Sequence, residues 1–361
     1  MKRLISYQSI SQFRNVVKLF RLQYSYIGKD EKGKAKYDPL IKFPTIPVIC
    51  TEKIHGTHGA LCYSKPDGFW VQSRENILTP LNDNAGCAAI NTSKEDVWMN
   101  IIYQLADEYN IDLDTKIVSI YFEWCGEGIQ KRTAVSGIGK KLAIIFSYFK
   151  VSSLIPLVEN PNEEPAEWFP TKVGGDWIRN NENNIYNIND FPTYVVNIDF
   201  ENPLMSQNEL IEIVTGTIET GSPVGKHFGL NTIGEGLVAS IYNNGVLHQF
   251  KCKGIKHSKS HVTTLKPVDN EKLQKIQEIA QLCAPSWRLE QMFDLANDTI
   301  NGNLPDITNM GAYMKLINND IIKEELDIIT DAGLVPKDIF KSVSIIARAF
   351  YSEMMDEAIM K

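Results

Sequence analysis

The sequence contains no run of eighteen apolar residues, which excludes a helix able to span a membrane. Cysteine is scarce. The six cysteines stand at 50, 62, 87, 125, 252 and 283, and none form a C-x-x-C pair. That excludes a zinc ribbon and a disulfide scaffold, and reduced thiols in a cytosol-like compartment are expected. The first residues turn polar after Leu4 and Ile5, without the apolar core of a secretory signal, so a cytoplasmic location is expected, the host cell of a virus included. Positive charge is not in excess either: 37 basic residues face 44 acidic ones, for a formal net charge of -7. A protein that coats nucleic acid indiscriminately is usually basic, so any polyanion must be met by lysines gathered in one groove. No internal repeat and no low-complexity tract is visible. Histidine is sparse; His55 and His58 lie three apart and His257 and His261 four apart, but no cysteine pair joins them, and a zinc site is not expected.

What is present is ordinary globular material: 361 residues, 43% hydrophobic and 22% charged, enough for two or three domains. Up to about residue 262, short β-rich runs alternate with turns. They include Pro47–Cys50, Gly68–Ser73, Ile117–Glu123, Leu142–Phe149, Gly236–Tyr242 and Gly245–Lys253, the last two joined by an Asn-Asn-Gly hairpin signal. A helix is expected over Asp96–Tyr109 and another near Gln207–Thr215. Beyond 262 the period becomes helical, clearest over Lys272–Cys283 and Ser286–Asp298, with Ser286 as a cap and Pro336 as a first-turn proline. The expected fold class is α+β: an antiparallel-sheet domain over 1–262, variable at about 151–232, and a small all-helical domain over 263–361. The tail holds 10 basic and 16 acidic residues, a balance of -6, which leaves 27 and 28 for the first part. A phosphate-handling surface therefore belongs to the first part, and in the tail only isolated groups such as Lys272, Lys275, Arg288 and Lys315 are candidates for phosphate contact.

The residues with chemical potential sit at strand ends. Thr51-Glu52-Lys53-Ile54-His55-Gly56-Thr57 places a lysine directly after a strand, with a glycine three residues on that lets a ligand approach the backbone. Such a motif alone is common. It is followed, however, by Ser73-Arg74-Glu75, Phe122-Glu123-Trp124-Cys125-Gly126, Ile144-Ile145-Phe146, Glu235-Gly236-Leu237-Val238 and Phe250-Lys251-Cys252-Lys253-Gly254. Lys251 and Lys253, two apart, share one face of a strand. Charged groups at such positions are costly unless paired or bound to a ligand.

In this order, the motifs resemble those of the covalent nucleotidyltransferases: DNA ligases, RNA ligases and messenger-RNA capping enzymes. Glu52–Thr57, Glu123–Gly126 followed by Ile129-Gln130-Lys131, and Ser222–Lys226 ahead of Gly234-Glu235-Gly236 are most similar to the RNA ligase 2 family of bacteriophages and kinetoplastid editing ligases. The resemblance covers residues 50–262 in pieces. It implies an ATP-grasp-like ligase domain that joins 3'-hydroxyl and 5'-phosphate RNA ends through a lysyl-AMP and an RNA-adenylate. ATP and magnesium, or manganese in its place, are the implied cofactors. The implied partner is RNA as a nicked duplex or paired ends, with no membrane, and a monomer is favoured.

By the same resemblance Lys53 is the nucleophile. An ordinary lysine amine, with a pKa near 10.4, is only about 0.04% neutral at pH 7, so such a site must favour the free base. Lys251 and Lys253 would assist and would neutralise charge on the α-phosphate. Arg74 and Glu123 would hold the ribose hydroxyls, Glu235 a metal ion, and Glu52 and Ile54 the adenine end. His55 would position an RNA end or the nucleophile, and Tyr7 would touch the nucleotide. Phe146 is either an adenine platform or a plain core aromatic. Thr51, His58, Ser73 and Ser147 depart from the residues usual at their positions. Capping enzymes and most DNA ligases carry a β-barrel after the last lysine motif, where this chain reads as helix. Those two, and a catalytically inactive RNA-binding relative, are the alternatives.

Overall fold

The structure is a computed structural model describing residues 2–130, 134–155, 166–243, 246–253, 269–299 and 303–360. It is a mixed α+β architecture with largely antiparallel sheets. Two compact units are formed, one from Met1–Phe20 and Thr45–Lys266, the other from Arg21–Pro44 and Pro267–Lys361. The first boundary falls inside the helix Phe13–Ser25. The sequence placed Arg21–Pro44 with the sheets, whereas this segment packs with the helices.

The first unit is built on two sheets. One has the order Ser11–Gln12, Val246–Lys253, Gly236–Asn243, Thr45–Glu52, Tyr194–Asp199, antiparallel except at the short first strand. The paired strands Gly236–Asn243 and Val246–Lys253 are those expected as a hairpin; their Asn244-Gly245 turn lies outside the described residues. In the other sheet Lys116–Gly126 lies centrally, between Thr57–Ser64 on one side and Lys141–Ile145 and Tyr148–Ser153 on the other. The loop Lys53–Gly56 carries the chain from the first sheet into the second.

Alternation along Lys116–Gly126 sorts its residues onto two faces. Ile120, Phe122 and Trp124 join Trp98, Ile101, Ile102 and Leu105 of the helix Glu95–Glu108 in one apolar core. On the opposite face Tyr121 packs with Ile5, Ala60, Trp70 and Trp168, with Tyr7 and Phe146 at its margin. Glu123, in phase with Tyr121, belongs to the face opposite the helix Glu95–Glu108. The apolar run Leu142–Phe149, expected as one strand, is interrupted at Phe146–Ser147. The Phe146 N–H donates to the Tyr121 carbonyl at 2.9 Å, and the Thr171 hydroxyl donates to the Phe146 carbonyl at 2.8 Å. Phe146 thus stays in register with Tyr121, the register shifts by two residues beyond it, and Phe146 lines the cleft described below.

The second unit contains the helices Asn270–Cys283, Ser286–Asn297, Met310–Glu324, Leu326–Asp331 and Pro336–Met360, packed around Ala280, Leu289, Phe293, Tyr313, Ile317, Val343 and Tyr351. It is not all-helical: Arg21–Pro44 adds a hairpin of Tyr26–Lys29 and Ala35–Tyr37. Ser286 is the first helical residue and not a cap; Pro285 occupies that position and Ser286 makes no side-chain cap bond. Arg288 is no candidate for RNA contact. Its side chain is 2% exposed and is held by Asp320 at 2.8 Å and Glu325 at 2.5 Å. Among the described residues no helix is long and apolar enough to cross a membrane.

Candidate active site

The site grows from the end of the strand Thr45–Glu52. Beyond it the Lys53 N–H donates to the Gly236 carbonyl at 2.8 Å, which extends the pairing with Gly236–Asn243 by one bond. Two glycines allow this. A Cβ at Gly56 would fall 2.4 Å from the Trp124 carbonyl oxygen, so the loop can lie against the central strand only with glycine there. Gly236 has φ +152, and a Cβ on it would lie 2.1 Å from the Cys252 carbonyl oxygen. Gly236→Ala is expected to cost about 2–4 kcal/mol from combined strain and overpacking, read as a fall of several degrees in the first unit's thermal midpoint.

Glu235 is the centre of charge. Its carboxylate is 3% exposed; Oε2 accepts from Lys53 Nζ at 2.7 Å and lies 3.1 Å from His55 Nδ1, while Oε1 meets Lys253 Nζ at 2.5 Å. Burial opposes ionisation, but the hydrogen bond from His55 and the charges of Lys53 and Lys253 outweigh it and hold the carboxyl well below the usual carboxylate range. The second buried carboxylate behaves in the opposite way. Glu123 Oε1 accepts the Gly56 N–H at 2.8 Å. Burial pushes its pKa up to about 7, against the pull of Lys53 and that hydrogen bond. Lys251 lies beside these cations, and its pKa is lowered by burial, then by Lys253, Lys53 and Arg74.

Glu123 yields a prediction about pH. A carboxyl with an unfolded value near 4.5 and a folded value of about 7 binds more protons in the folded state between those limits. Its contribution to stability therefore falls as pH rises from about 4.5 to 7. Glu123→Gln keeps an acceptor for the Gly56 N–H and should flatten denaturant midpoints measured across that window. An unchanged slope would place the proton elsewhere.

Two adjoining hollows share Tyr7, Ile10, Lys53, Glu123 and Phe146. The inner one is mostly apolar and is completed by Ile54, Ile188 and Val238, with Thr51, Glu52, Ser147, Ser240 and Gln249 adding polar groups. The outer one is polar and holds Arg74, Lys251, Lys253 and His58. Of the eleven residues singled out in the sequence, nine line these hollows; of the other two, Glu235 bonds to the lysine at their junction and His55 bonds to Glu235. Phe146 is a cleft wall, its ring 5.4 Å from that of Tyr7. Arg74 is exposed and, among the described residues, has no hydrogen-bond or ion-pair partner.

Several residues that position the site were not legible in the sequence. Glu52 is clamped by the Ser222 hydroxyl at 2.5 Å and the Val224 N–H at 2.9 Å, at the start of the short helix Pro223–His227. Burial raises its pKa against those two bonds. The Ser222–Lys226 motif thus serves to fix Glu52, a link that spans 170 residues of chain. Tyr7 is anchored by its hydroxyl on Gln249 Oε1 at 2.6 Å and packs edge-on against Tyr121 and Trp168. Gln249 also accepts from Gln8 and donates to Ser240, which fixes its amide. His58 stands opposite Glu123 in the strand register, and its buried Nε2 has no hydrogen-bond partner among the described residues. Burial and then Arg74 bring its pKa down to about 4, so the ring is neutral at pH 7. Gly254, Lys131, His257 and His261 lie outside the described residues.

No protein-family model matches the chain, and no curated protein matches it. Among solved structures it is similar to Naegleria gruberi RNA ligase with PPi, at a TM-score of 0.37 and 14% identity over 73% of this chain and 59% of that chain. A lysine-substituted mutant of the same ligase with AMP and Mn gives a TM-score of 0.38 and 13% identity, over 71% and 58%. Another, with ATP and Mn, gives 0.37 and 12%, over 70% and 57%. The chain thus spans less than two thirds of the length of the structures it matches.

Proposed function

We propose that this protein is an ATP-dependent RNA ligase of the RNA ligase 2 type, in which Lys53 is adenylylated and passes AMP to a 5'-phosphate end. The observation that carries the reading is the placement of Lys53. Its amine stands where an apolar hollow suited to a base meets a basic hollow suited to phosphates, beside Lys251 and Lys253.

In the first step the neutral Lys53 amine attacks the α-phosphorus of ATP. A nitrogen–phosphorus bond forms, the bond to the bridging oxygen breaks, and pyrophosphate leaves. The ion pair with Glu235 must open first, because an ammonium has no free electron pair; the proton it loses goes to solvent or to a neighbouring base. The cations Lys251, Lys253 and Arg74 line the basic hollow that Lys53 also borders. Lys251 and Lys253 also meet the negative charge that grows on the phosphoryl oxygens. Phe146 and Tyr7 offer aromatic faces to adenine, with Ile54 beneath and the clamped Glu52 at the polar end. Arg74 and Glu123 are types that pair with vicinal ribose hydroxyls. In the second step the RNA 5'-phosphate oxygen displaces Lys53 from phosphorus. In the third the 3'-hydroxyl attacks the activated 5'-phosphate, and AMP departs.

Among the described residues no cluster of three His, Cys, Asp or Glu side chains could hold a metal by itself. A deprotonated Glu235 together with substrate phosphate oxygens and water is the usual environment of magnesium, and the residues fit that ion. When bound there it supplies positive charge against the phosphates. Incubation with labelled ATP or GTP in magnesium buffer tests the reading: labelling by ATP is expected, and labelling by GTP alone would instead indicate a capping-type guanylyltransferase.

A further inference from the structure

The second unit separates its charges along the chain. Pro267–Lys361 contains 9 basic and 16 acidic residues, a balance of -7, whereas Arg21–Pro44 contains 6 basic and 3 acidic, a balance of +3. Four of those six cations stand within eight positions on one hairpin: Lys29 at a strand end, Lys32 and Lys34 around the turn, and Lys36 on the return strand. All four are exposed. Among the described residues none of their side-chain amines has a hydrogen-bond or ion-pair partner. The nearby acid Asp30 is otherwise engaged, since its Oδ1 accepts the backbone N–H groups of Lys32 and Lys34 at 2.9 and 2.8 Å. The turn also carries the exposed acid Glu31, so positions 29–36, with four basic and two acidic residues, keep a balance of +2.

A second observation concerns the aromatics. Tyr26 and Tyr37 stand directly opposite each other, their ring centroids 6.1 Å apart, and are 46% and 45% exposed. By alternation Ala35, and with it Lys29 across the ladder, share their face. Tyr24 and Ile27 are exposed beside them. Solvated lysine runs are common on protein surfaces, but they do not require exposed tyrosines. Free cations beside exposed aromatic rings match the two chemistries of a nucleic-acid strand, phosphate charge and stackable bases.

We propose that the hairpin Tyr26–Tyr37 is a nucleic-acid docking element, its four lysines neutralising phosphates and its tyrosine pair lying against a base or ribose. Its partner is the RNA substrate, and to that extent the proposal rests on the ligase reading. It gives the otherwise acidic unit a concentrated group of cations for engaging RNA.

The test measures equilibrium binding of a fluorescently labelled nicked RNA duplex, without ATP, from 50 to 200 mM salt. The full-length protein is compared with the variant Lys29→Ala, Lys32→Ala, Lys34→Ala, Lys36→Ala. If the lysines neutralise about four phosphates, the slope of log affinity against log salt should become shallower by about three to four, and affinity at low salt should fall at least about tenfold. Adduct formation from ATP alone should stay within about twofold. The charge-preserving variant with arginine at all four positions should bind like the parent, which separates charge from folding. Unchanged affinity and slope in the alanine variant would overturn the proposal. So would a loss confined to vesicles containing phosphatidylserine with RNA binding intact. If the parent formed no adduct with any nucleotide but the salt slope still fell, the ligase reading would fail and the docking element would stand.

Discussion

A protein carrying Lys53→Ala is expected to form no covalent nucleotide adduct, yet to join pre-adenylylated RNA at a measurable fraction of the parent rate. The expectation follows from what the amine does. It is the bond-forming atom of the first step, and among the described residues no other lysine combines the Glu235 contact with a place at the junction of the two hollows. In sealing, the phosphate is already activated and the attacking atom belongs to RNA, so the lysine is dispensable for bond formation. Some loss is expected there too, because removing Lys53 takes one of three partners from a carboxylate that is 3% exposed. A retained adduct at full level would remove Lys53 from its role. Loss of both reactions together with a lowered thermal midpoint would mark a folding defect.

The second large effect is expected at the two strand lysines. Lys251→Ala or Lys253→Ala should each slow single-turnover adenylylation by about a hundredfold or more, the scale of losing one preorganised donor to a developing anion. The two should differ in detail. Lys253 is bonded to Glu235, so its removal also disturbs that carboxylate and the lysine it holds. Lys251 has a pKa lowered by burial and by surrounding cations, with Glu235 acting weakly against them. Its loss should therefore act on rate with little effect on thermal stability. Rates near the parent value for both variants would leave these lysines as solvated surface.

The site was more legible in the sequence than the fold around it. Lysines two apart on a strand, and acids at the ends of apolar runs, are local patterns; alone they are common, and Lys53, Glu123, Glu235, Lys251 and Lys253 were picked out because their order resembles the covalent nucleotidyltransferase motifs. Strands such as Gly68–Ser73 and Gly236–Asn243 were similarly local, as was the helix Glu95–Glu108. What escaped depends on distant partners. Nothing in Ser222-Pro223-Val224 announces that it clamps Glu52, because the contact exists only after the sheets have formed. The run Leu142–Phe149 is apolar but for Ser147, and its two-residue register shift after Phe146 exists only in the pairing with Lys116–Gly126. The segment Arg21–Pro44 was grouped with the sheets by position alone; Leu40 packs instead against the helical core. A fragment ending at residue 262 would strand that segment, which makes full-length point variants the sounder probes of each unit.

The most direct measurement is to incubate the parent protein with ATP and magnesium, digest it, and map any AMP-bearing residue by mass spectrometry. A single AMP joined through its phosphorus to the Lys53 side-chain nitrogen, released on adding pyrophosphate or 5'-phosphate RNA, is the predicted result. Adduct on a different lysine, or no adduct from a protein that still seals RNA, would contradict the account.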